Sequence, residues 1–596
     1  MTRYGTFWVD TASEDQKLFD LELAKRIFGY TTGLRHWLLV AAISAPLVGG
    51  IQLARPWLLK QAVDNAILPG NVEQLILYAG LFLAVLAAEL GGMFGQLMLL
   101  QWIGQRVLLR LRTALFRKVL SLDQRYFSRV PSGVTLTRLT NDLEAIQELF
   151  AAGIVTLVTD VVKLVGIMGV MLWLNARLAL ITFCVLPLLY VVSEFFRRKL
   201  RRAYRNVRQA VAGLNAQLST TVEDIEDVQG QHLEPDLARR FADVNDRHRR
   251  ANLDSILNDA VLYASVEMLS SIVIGALIWF GGREYLEGRV TLGVLVAFVE
   301  YVQMFFVPIR DLSAKYAVLQ SAFASAEKVF GLIDTQPAVT DPENPKSPRP
   351  EGRAAMADVH FGYKPDVPVL RGIDFEAPPR GFIAIVGPTG HGKSTIVRLL
   401  RREYDVDSGA VLLDGVDIRQ LELDDVRRRT LAVSQRTFLF GGNVRDNLAL
   451  ADDFDDDAMC EVLDTVGFRP RTPRPAVLDA VVSEGGRNLS MGERQLLALA
   501  RVLLRDPEIM ILDEATAHID SETEGSLYRV LRQQHGARTM IAIAHRLSTI
   551  READEILLVR HGRIEERGTH EQLIAQSGVY ANLIRLHDLE AAGEGE

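Results

Sequence analysis

Residues 387–394 read Gly387-Pro388-Thr389-Gly390-His391-Gly392-Lys393-Ser394, and Thr395 follows. This is the G-x-x-x-x-G-K-[ST] pattern of a loop that cradles phosphate. The pattern needs a strand before it and a helix after it. The apolar run Phe382–Val386 supplies the first and Thr395–Arg401 the second. Glycines let backbone N–H groups converge on phosphate oxygens at a helix N-terminus. Lys393 brings charge to the terminal phosphates, and the Ser394 hydroxyl is a ligand for Mg²⁺. A nucleoside triphosphate is therefore the expected ligand.

Downstream, Ile509-Met510-Ile511-Leu512 reads as a buried strand ending in Asp513 and Glu514. Asp513 is expected to hold Mg²⁺ directly or through water. Glu514 is expected to orient or deprotonate the attacking water, so it is the catalytic candidate. Gln435, in Val-Ser-Gln-Arg, can sense Mg²⁺ or the γ-phosphate. His545, in Ile-Ala-His-Arg, follows the apolar run Thr539–Ile543 and is read as a γ-phosphate contact with a catalytic role. Tyr363, in Val-His-Phe-Gly-Tyr, can stack on adenine. An ordinary strand aromatic is the lesser alternative.

The chain before this region differs in kind. Across all 596 residues of the protein, 49% are apolar and 23% charged, which excludes disorder. All six tryptophans (Trp8, Trp37, Trp57, Trp102, Trp173 and Trp279) precede residue 280. Six apolar stretches, 37–58, 75–100, 151–174, 178–197, 258–281 and 290–309, approach the ~20 residues that cross a bilayer as a helix. Residues 1–30 do not read as a signal peptide. Residues 20–33 read as a helix on the membrane surface or as a soluble helix. Basic residues crowd the connections after the second and fourth stretches, from Arg106 to Arg129 and from Arg197 to Arg205, which puts both on the cytoplasmic side with the two termini. Val107, Leu108, Leu111, Leu115, Val119 and Leu120 have helical spacing, so the spans are expected to continue well below the membrane.

Five prolines (Pro337, Pro342, Pro345, Pro348 and Pro350) mark 334–352 as a linker. The expected organisation is a membrane domain over 1–333, the linker, an α/β domain over 353–585 and a tail over 586–596. The acidic run Asp452–Asp457 reads as helix-start chemistry rather than a metal site. Lys and Arg total 66 against 74 Asp and Glu, a net charge of −8 that argues against a nucleic-acid partner. Cys184 and Cys460 are the only cysteines, so no disulfide scaffold is available.

Leu489-Ser490-Met491-Gly492-Glu493, ahead of the helical run Arg494–Arg505, resembles the ABC signature Leu-Ser-Gly-Gly-Gln. With Asp520 at a D-loop position, the set resembles an ABC ATPase, and the whole chain resembles an ABC exporter half-transporter. That resemblance implies an α-helical six-span transmembrane domain fused to a C-terminal α/β P-loop ATPase domain of the ABC type. It implies two chains, each ATP lying between one chain's phosphate loop and the other's signature. It also implies coupling helices near 122–130 and 223–235, and a cavity that switches from inward- to outward-facing. The organism class implied is bacterial, with the inner membrane as location.

The signature departs from the family pattern. Ser490 and Glu493 have capping-box spacing, so Glu493 is placed to fold back on the Ser490 N–H. Met491 adds bulk where backbone approaches phosphate. Both changes are expected to weaken the site this signature completes, while Lys393, Asp513, Glu514 and His545 are intact. That combination resembles the B halves (MdlB- and LmrD-like) of bacterial multidrug-type heterodimers, and a heterodimer is favoured over a homodimer.

Ionisable residues within spans are candidates for cargo contact. Glu300, Asp160, Lys163 and Glu267 are the leading ones, with Glu89 and Glu194. At ~1.5 Å per residue, Glu300 and Lys163 fall near mid-bilayer. Asp160 and Lys163 stand one turn apart, within reach of each other. Packing pairs between helices are the bland alternative. As a set these residues are acidic, which favours an amphipathic cation as cargo. Lipid, peptide or siderophore transport shares every ATPase motif above, whereas a nucleotide-switched sensor could lose Glu514 and His545, and their presence argues against it.

Overall fold

Long apolar stretches with few charges fold here into long helices. The computed structural model describes residues 21–150, 154–364, 366–434, 437–450, 452–468, 477–513, 521–544 and 550–585. They form two compact units, one of Met1–Leu120 with Ser132–Thr335 and one of Ser121–Pro131 with Gln336–Glu596.

The first unit is helical. It contains α1 (Leu21–Gly29), α2 (Arg35–Ala62) and α3 (Val72–Leu120), then α5 (Ser132–Thr137) and α6 (Leu143–Glu148). It continues with α7 (Ile154–Leu174), α8 (Ala176–Phe183), α9 (Leu186–Glu223), α10 (Ile225–Gly230), α11 (Glu234–Leu286) and α12 (Leu292–Asp334). Among the described residues, six helical stretches are long and apolar enough to cross a membrane. Many of their apolar side chains are exposed, Ile43, Phe94, Trp173 and Trp279 among them, as lipid-facing helices require.

At ~1.5 Å per residue, the 49 residues of α3 run far beyond a ~30 Å hydrocarbon layer. Its lower part changes character as the spacing predicts: Val107, Leu108, Leu111 and Leu115 are buried, although Leu120 is exposed. The connection from 101 to 150 is not one helix but several, broken at Ser121 and Pro131. Gly293 is required by close approach. A Cβ there would meet the Lys60 carbonyl and lie 2.6 Å from Asp64 Oδ1. Asp64 in turn accepts from the Thr291 hydroxyl at 2.6 Å and the Gly293 N–H at 2.8 Å, closing the end of the bundle.

α1 is tied to the far end of the unit. Arg26 donates to both carboxylate oxygens of Asp334 at 2.7 Å, and its guanidinium lies over the Phe330 ring.

The second unit contains α4 (Gln124–Arg129), a short helix from the connection after α3. The rest is β1 (Ala354–Phe361), β2 (Leu370–Ala377), β3 (Phe382–Val386), α13 (Lys393–Leu400), β4 (Ser408–Leu413), β5 (Val416–Asp417), α14 (Leu423–Arg429) and β6 (Thr430–Val433). There follow β7 (Gly442–Asn443), α15 (Val444–Ala449), α16 (Asp456–Val466), β8 (Val481–Val482), α17 (Met491–Leu504) and β9 (Ile509–Asp513). α18 (Ser521–Gln534), β10 (Thr539–Ile543), β11 (Glu555–Arg560), β12 (Arg563–Gly568) and a last helix, His570–Ala575, complete it.

One sheet has the order β12-β11-β3-β10-β9-β6, parallel except for β12. β3 and β10 are buried at every position, which explains their unbroken apolar runs. The second sheet, β2-β1-β4-β5, is antiparallel. The acidic run caps α16: Asp455 is its N-cap, and Asp456 and Asp457 lie in its first turn. No metal-ligand cluster occurs among the described residues.

Candidate functional site

The central strands set the geometry. β10 lies between β3 and β9, and Ile543 is in register with both Ile385 and Asp513. The strands therefore end side by side, with the phosphate loop after β3 and Asp513 at the end of β9. Parallel sheets of this kind bind ligands beyond the carboxyl ends of their strands. Glu514, Asp520 and His545, which follow β9 and β10, lie outside the described residues, as does Gln435.

The loop itself is built for backbone approach. Gly390 and Gly392 adopt φ +83° and +106°, in the left-handed region where a side chain is strained. Gly392 caps α13 from that conformation. Gly387 sits against the Val559 carbonyl, so a Cβ would collide with β11. Pro388 and Ser394 are half-buried, while Thr389 and Gly390 are exposed. Lys393 is buried, and its ammonium donates to the Gly387 and Pro388 carbonyls at 2.6 and 3.0 Å. A lysine held by two loop carbonyls is curled over the loop's concave side, and phosphate oxygens can replace those carbonyls. The half-buried Ser394 hydroxyl and Asp513 carboxylate are oxygen donors, the set that suits Mg²⁺.

His391 brings its ring to 5.0 Å from that of His561. Tyr363 lies just beyond β1. Its hydroxyl is 3.1 Å from Thr395 Oγ1 and accepts from Arg398 at 3.2 Å. Its ring meets those of Phe361 and Tyr404 edge to face at 5.1 and 5.3 Å.

The signature segment starts α17. Ser490 is the N-cap, and the reciprocal bonds of a capping box join it to Glu493. Gly492 is buried. Met491 is exposed, with its sulfur 3.4 Å from an Arg494 nitrogen. Three turns along, Arg501 donates to the Asn447 carbonyl at 2.7 Å, its Oδ1 at 3.2 Å and the Phe438 carbonyl at 3.2 Å. It thereby fastens α15 and the segment before it to α17. Burial pushes the Arg501 guanidinium down to about 10. Sequence reading missed this residue, since nothing in its spacing marks it off from Arg505.

The charged residues of the helical unit form a different pattern from the one expected. Asp160 bonds Lys315 on α12 rather than Lys163. Lys163 stays within electrostatic reach of Asp160 and Glu89. Arg55, on α2, lies 3.7 Å from Glu89 on α3 and 3.7 Å from Glu300 on α12. Glu194 bonds Arg198 one turn away at 2.9 Å, and Glu267 is exposed with no ion pair among the described residues. The excess of acid is thus corrected. Glu89, Asp160 and Glu300 are met by Arg55, Lys163 and Lys315. Arg55 sits near the end of its apolar stretch, where a basic residue reads as a flank, and Lys315 falls beyond the last one.

Residues 38–309 match the ABC transporter transmembrane region and residues 370–517 match the ABC transporter family. An uncharacterised ABC transporter ATP-binding protein, YknV of Bacillus subtilis, is 34% identical over 582 residues, covering 96% of this chain and 95% of that protein. A fatty acid ABC transporter ATP-binding/permease protein of Mycobacterium bovis is 34% identical over 585 residues, covering 94% and 91%. The structure of a bacterial Atm1-family ABC exporter with ATP bound superposes with a TM-score of 0.77 at 26% identity, over 93% of this chain and 98% of that one. A helical domain with six potential spans and an ATP-binding domain on one chain make this protein a member of the ABC transporter family, an exporter whose ATP hydrolysis drives transport across a membrane.

Proposed function

We propose that this chain is one half of a heterodimeric exporter that moves hydrophobic or amphipathic small molecules out across a bacterial inner membrane. The observation that carries the heterodimer is the Ser490–Glu493 capping box. It turns a carboxylate onto the helix terminus that completes the partner's ATP site, while this chain's own Lys393 starts the helix after β3 and Asp513 ends β9, the two strands that flank β10. A negative group at that terminus opposes the γ-phosphate.

In this reading ATP lies on Gly387–Thr395 with adenine against Tyr363. Ser394, Gln435 and, through water, Asp513 would hold Mg²⁺, which would offset charge on the phosphates. Glu514 takes the proton of the attacking water, and His545 contacts the γ-phosphate. The partner's signature closes this site. Residues 1–333 form the membrane domain, 334–352 the linker and 353–585 the ATPase, which faces the cytoplasm with both termini. Binding closes the ATPase pair and turns the cavity outward. Hydrolysis resets it, a two-state cycle biased by ligand.

The cargo is amphipathic, and the pairing of Glu89, Asp160 and Glu300 with Arg55, Lys163 and Lys315 weakens the case for a cation. A second reading, a fatty-acid-like amphiphile with an anionic head, is favoured by Arg55 and Lys163 at the spans, and a relative of this chain carries the name of a fatty acid transporter.

The test is ATPase activity in lipid, of this chain alone and of the complex that co-purifies with it. Low activity alone, restored by a second chain and abolished by Glu514→Gln, is expected. Full, cargo-modulated turnover by the chain alone overturns the heterodimer.

A further inference from the structure

α9 carries its charge on one face and over a short length. Between Glu194 and Glu223 the sequence has no Asp or Glu, yet it has seven cations, all from Arg197 to Arg208. The helix then runs on to Glu223 without another. At ~100° per residue, Arg198, Arg201, Arg202, Arg205 and Arg208 share an arc of about 120° and span ~15 Å of helix. All five are exposed. Leu189, Leu200 and Ala203, on the opposite side, are buried, and α9 packs on α11.

Towards the start of α9 the arginine face turns apolar. Tyr190, Val191 and Phe195 continue it and are exposed as well. They lie in a helical stretch apolar enough to cross a membrane. The one acid beside the stripe, Glu194, accepts from Arg198 at 2.9 Å. Lys199 lies over the Phe195 ring at 4.8 Å, a cation folded back towards the apolar part. Arg201, Arg202, Arg205 and Arg208 make no ion pair or hydrogen bond among the described residues.

We propose that this stripe binds the head groups of anionic phospholipids at the membrane surface where α9 leaves the bilayer. An acyl chain lying along Tyr190, Val191 and Phe195 brings its phosphate level with the first arginines. A guanidinium grips phosphate oxygens bidentately, and the long side chains of the lower arginines reach back towards the surface. Each basic residue near the surface adds about fivefold to the attraction for an anionic membrane. Orienting a span needs cations in the loop, but it does not need them aligned on one face. Packing on α11 does not use them either. The site is independent of the cargo and of whether the partner subunit is a second copy of this chain.

The experiment is phenylglyoxal labelling of arginine, read by peptide mass, on the full exporter with its partner subunit in nanodiscs. Pure phosphatidylcholine is compared with an equal mixture of phosphatidylcholine and phosphatidylglycerol. In phosphatidylcholine alone, Arg201, Arg202 and Arg205 should react readily. Phosphatidylglycerol should slow them about fivefold or more. Arg112 and Arg117, exposed on α3 and farther from their apolar stretch, should change by less than about twofold. Native mass spectrometry of retained lipid gives the second readout. Arg201→Gln/Arg205→Gln should lower the preference for phosphatidylglycerol over phosphatidylcholine about tenfold, and Arg201→Lys/Arg205→Lys should keep most of it. Arg112→Gln/Arg117→Gln, with the same loss of charge, should lower it less than about twofold. Slow labelling of the stripe in phosphatidylcholine alone means that protein covers it, and this overturns the site. So does equal slowing of the α3 arginines, or a lipid preference that survives in Arg201→Gln/Arg205→Gln.

Discussion

Ser490 and Glu493 complete each other's backbone at the start of α17. Ser490 Oγ accepts from the Glu493 N–H at 3.1 Å, and Glu493 Oε2 accepts from the Ser490 N–H at 2.7 Å. The carboxylate thus fills one of the free donors of a helix terminus, the resource an ABC signature offers to a γ-phosphate. The first prediction follows. Glu493→Gln keeps the box, since an amide oxygen can accept the same bond, and removes the charge. Combined with Met491→Gly it restores a family-like signature. In a heterodimer whose partner lacks a catalytic base, steady-state ATPase should change by less than about twofold. In a homodimer both hydrolytic sites would gain, and turnover should rise about tenfold, the equivalent of ~1.4 kcal/mol at the barrier.

Loss of the catalytic base separates binding from turnover. Glu514→Gln should lower ATPase by about 10²–10⁴-fold and leave ATP affinity intact. Lys393→Ala should weaken affinity as well, because it removes the buried ammonium that the Gly387 and Pro388 carbonyls hold over the loop. Nucleotide binding and phosphate release, measured on both variants, check the split. An affinity that falls equally in the two would remove the assignment of Glu514.

The nucleotide site was legible in the sequence because its chemistry is local. Phosphate binding needs particular glycines and a lysine in one short stretch, and a buried parallel strand such as Ile509–Leu512 shows as an unbroken apolar run. Capping is local too, so the box at Ser490–Glu493 could be read from spacing alone. The charge network of the helices could not. Asp160 is one turn from Lys163, yet it bonds Lys315, far away in sequence. Arg55 joins three helices through Glu89 and Glu300, and periodicity carries no information on which helix faces which. The same holds for α4, whose place in the ATPase unit depends on Asp123 meeting the linker.

Arg501 is predicted to hold the segment after β6 to the signature helix. Its three acceptors are neutral, and burial without a carboxylate partner lowers its pKa to about 10. Lys lacks the fork that reaches all three. Arg501→Lys should therefore cost about 1.5–3 kcal/mol in the ATPase unit. Thermal unfolding of the full chain, with hydrogen exchange at 438–449, measures it. A midpoint within one degree of wild type would show that the guanidinium contributes nothing there.

The Arg26–Asp334 pair predicts a small acid sensitivity. The hydrogen bonds from Arg26 hold the Asp334 carboxyl below its ordinary value. A carboxyl depressed in the folded state adds stability above its unfolded pKa of about 3.9, and this is lost as pH falls through the lower folded value. Both side chains are substantially exposed, so the contribution is below about 1 kcal/mol. Wild type should melt slightly above Asp334→Asn at pH 6, and the two curves should converge at acid pH below the folded pKa. A constant gap across that range would assign the difference to packing of α1 instead.

Arg55 offers the sharpest test of the helical unit, because one cation there faces two carboxylates. Glu300→Gln leaves Arg55 with Glu89, and stability should change little. Arg55→Ala removes the ion-pair partner of Glu300 and leaves Glu89 with only the more distant Lys163, and Glu89 Oε2 is already buried without a hydrogen bond. Removing one partner of a buried pair costs about 3–5 kcal/mol, and the half-buried position of Arg55 should reduce this. Arg55→Ala is therefore expected to lower the melting midpoint of the exporter in lipid by more than Glu300→Gln does. Arg55→Ala/Glu300→Gln should recover part of the loss, since it removes one of the stranded charges. Cargo stimulation gives the second readout. If Arg55 receives an anionic head group, its loss should abolish stimulation by fatty-acid-like amphiphiles and spare or increase that by cationic ones. Equal loss for both signs would mean that the network holds the helices together and does not select cargo.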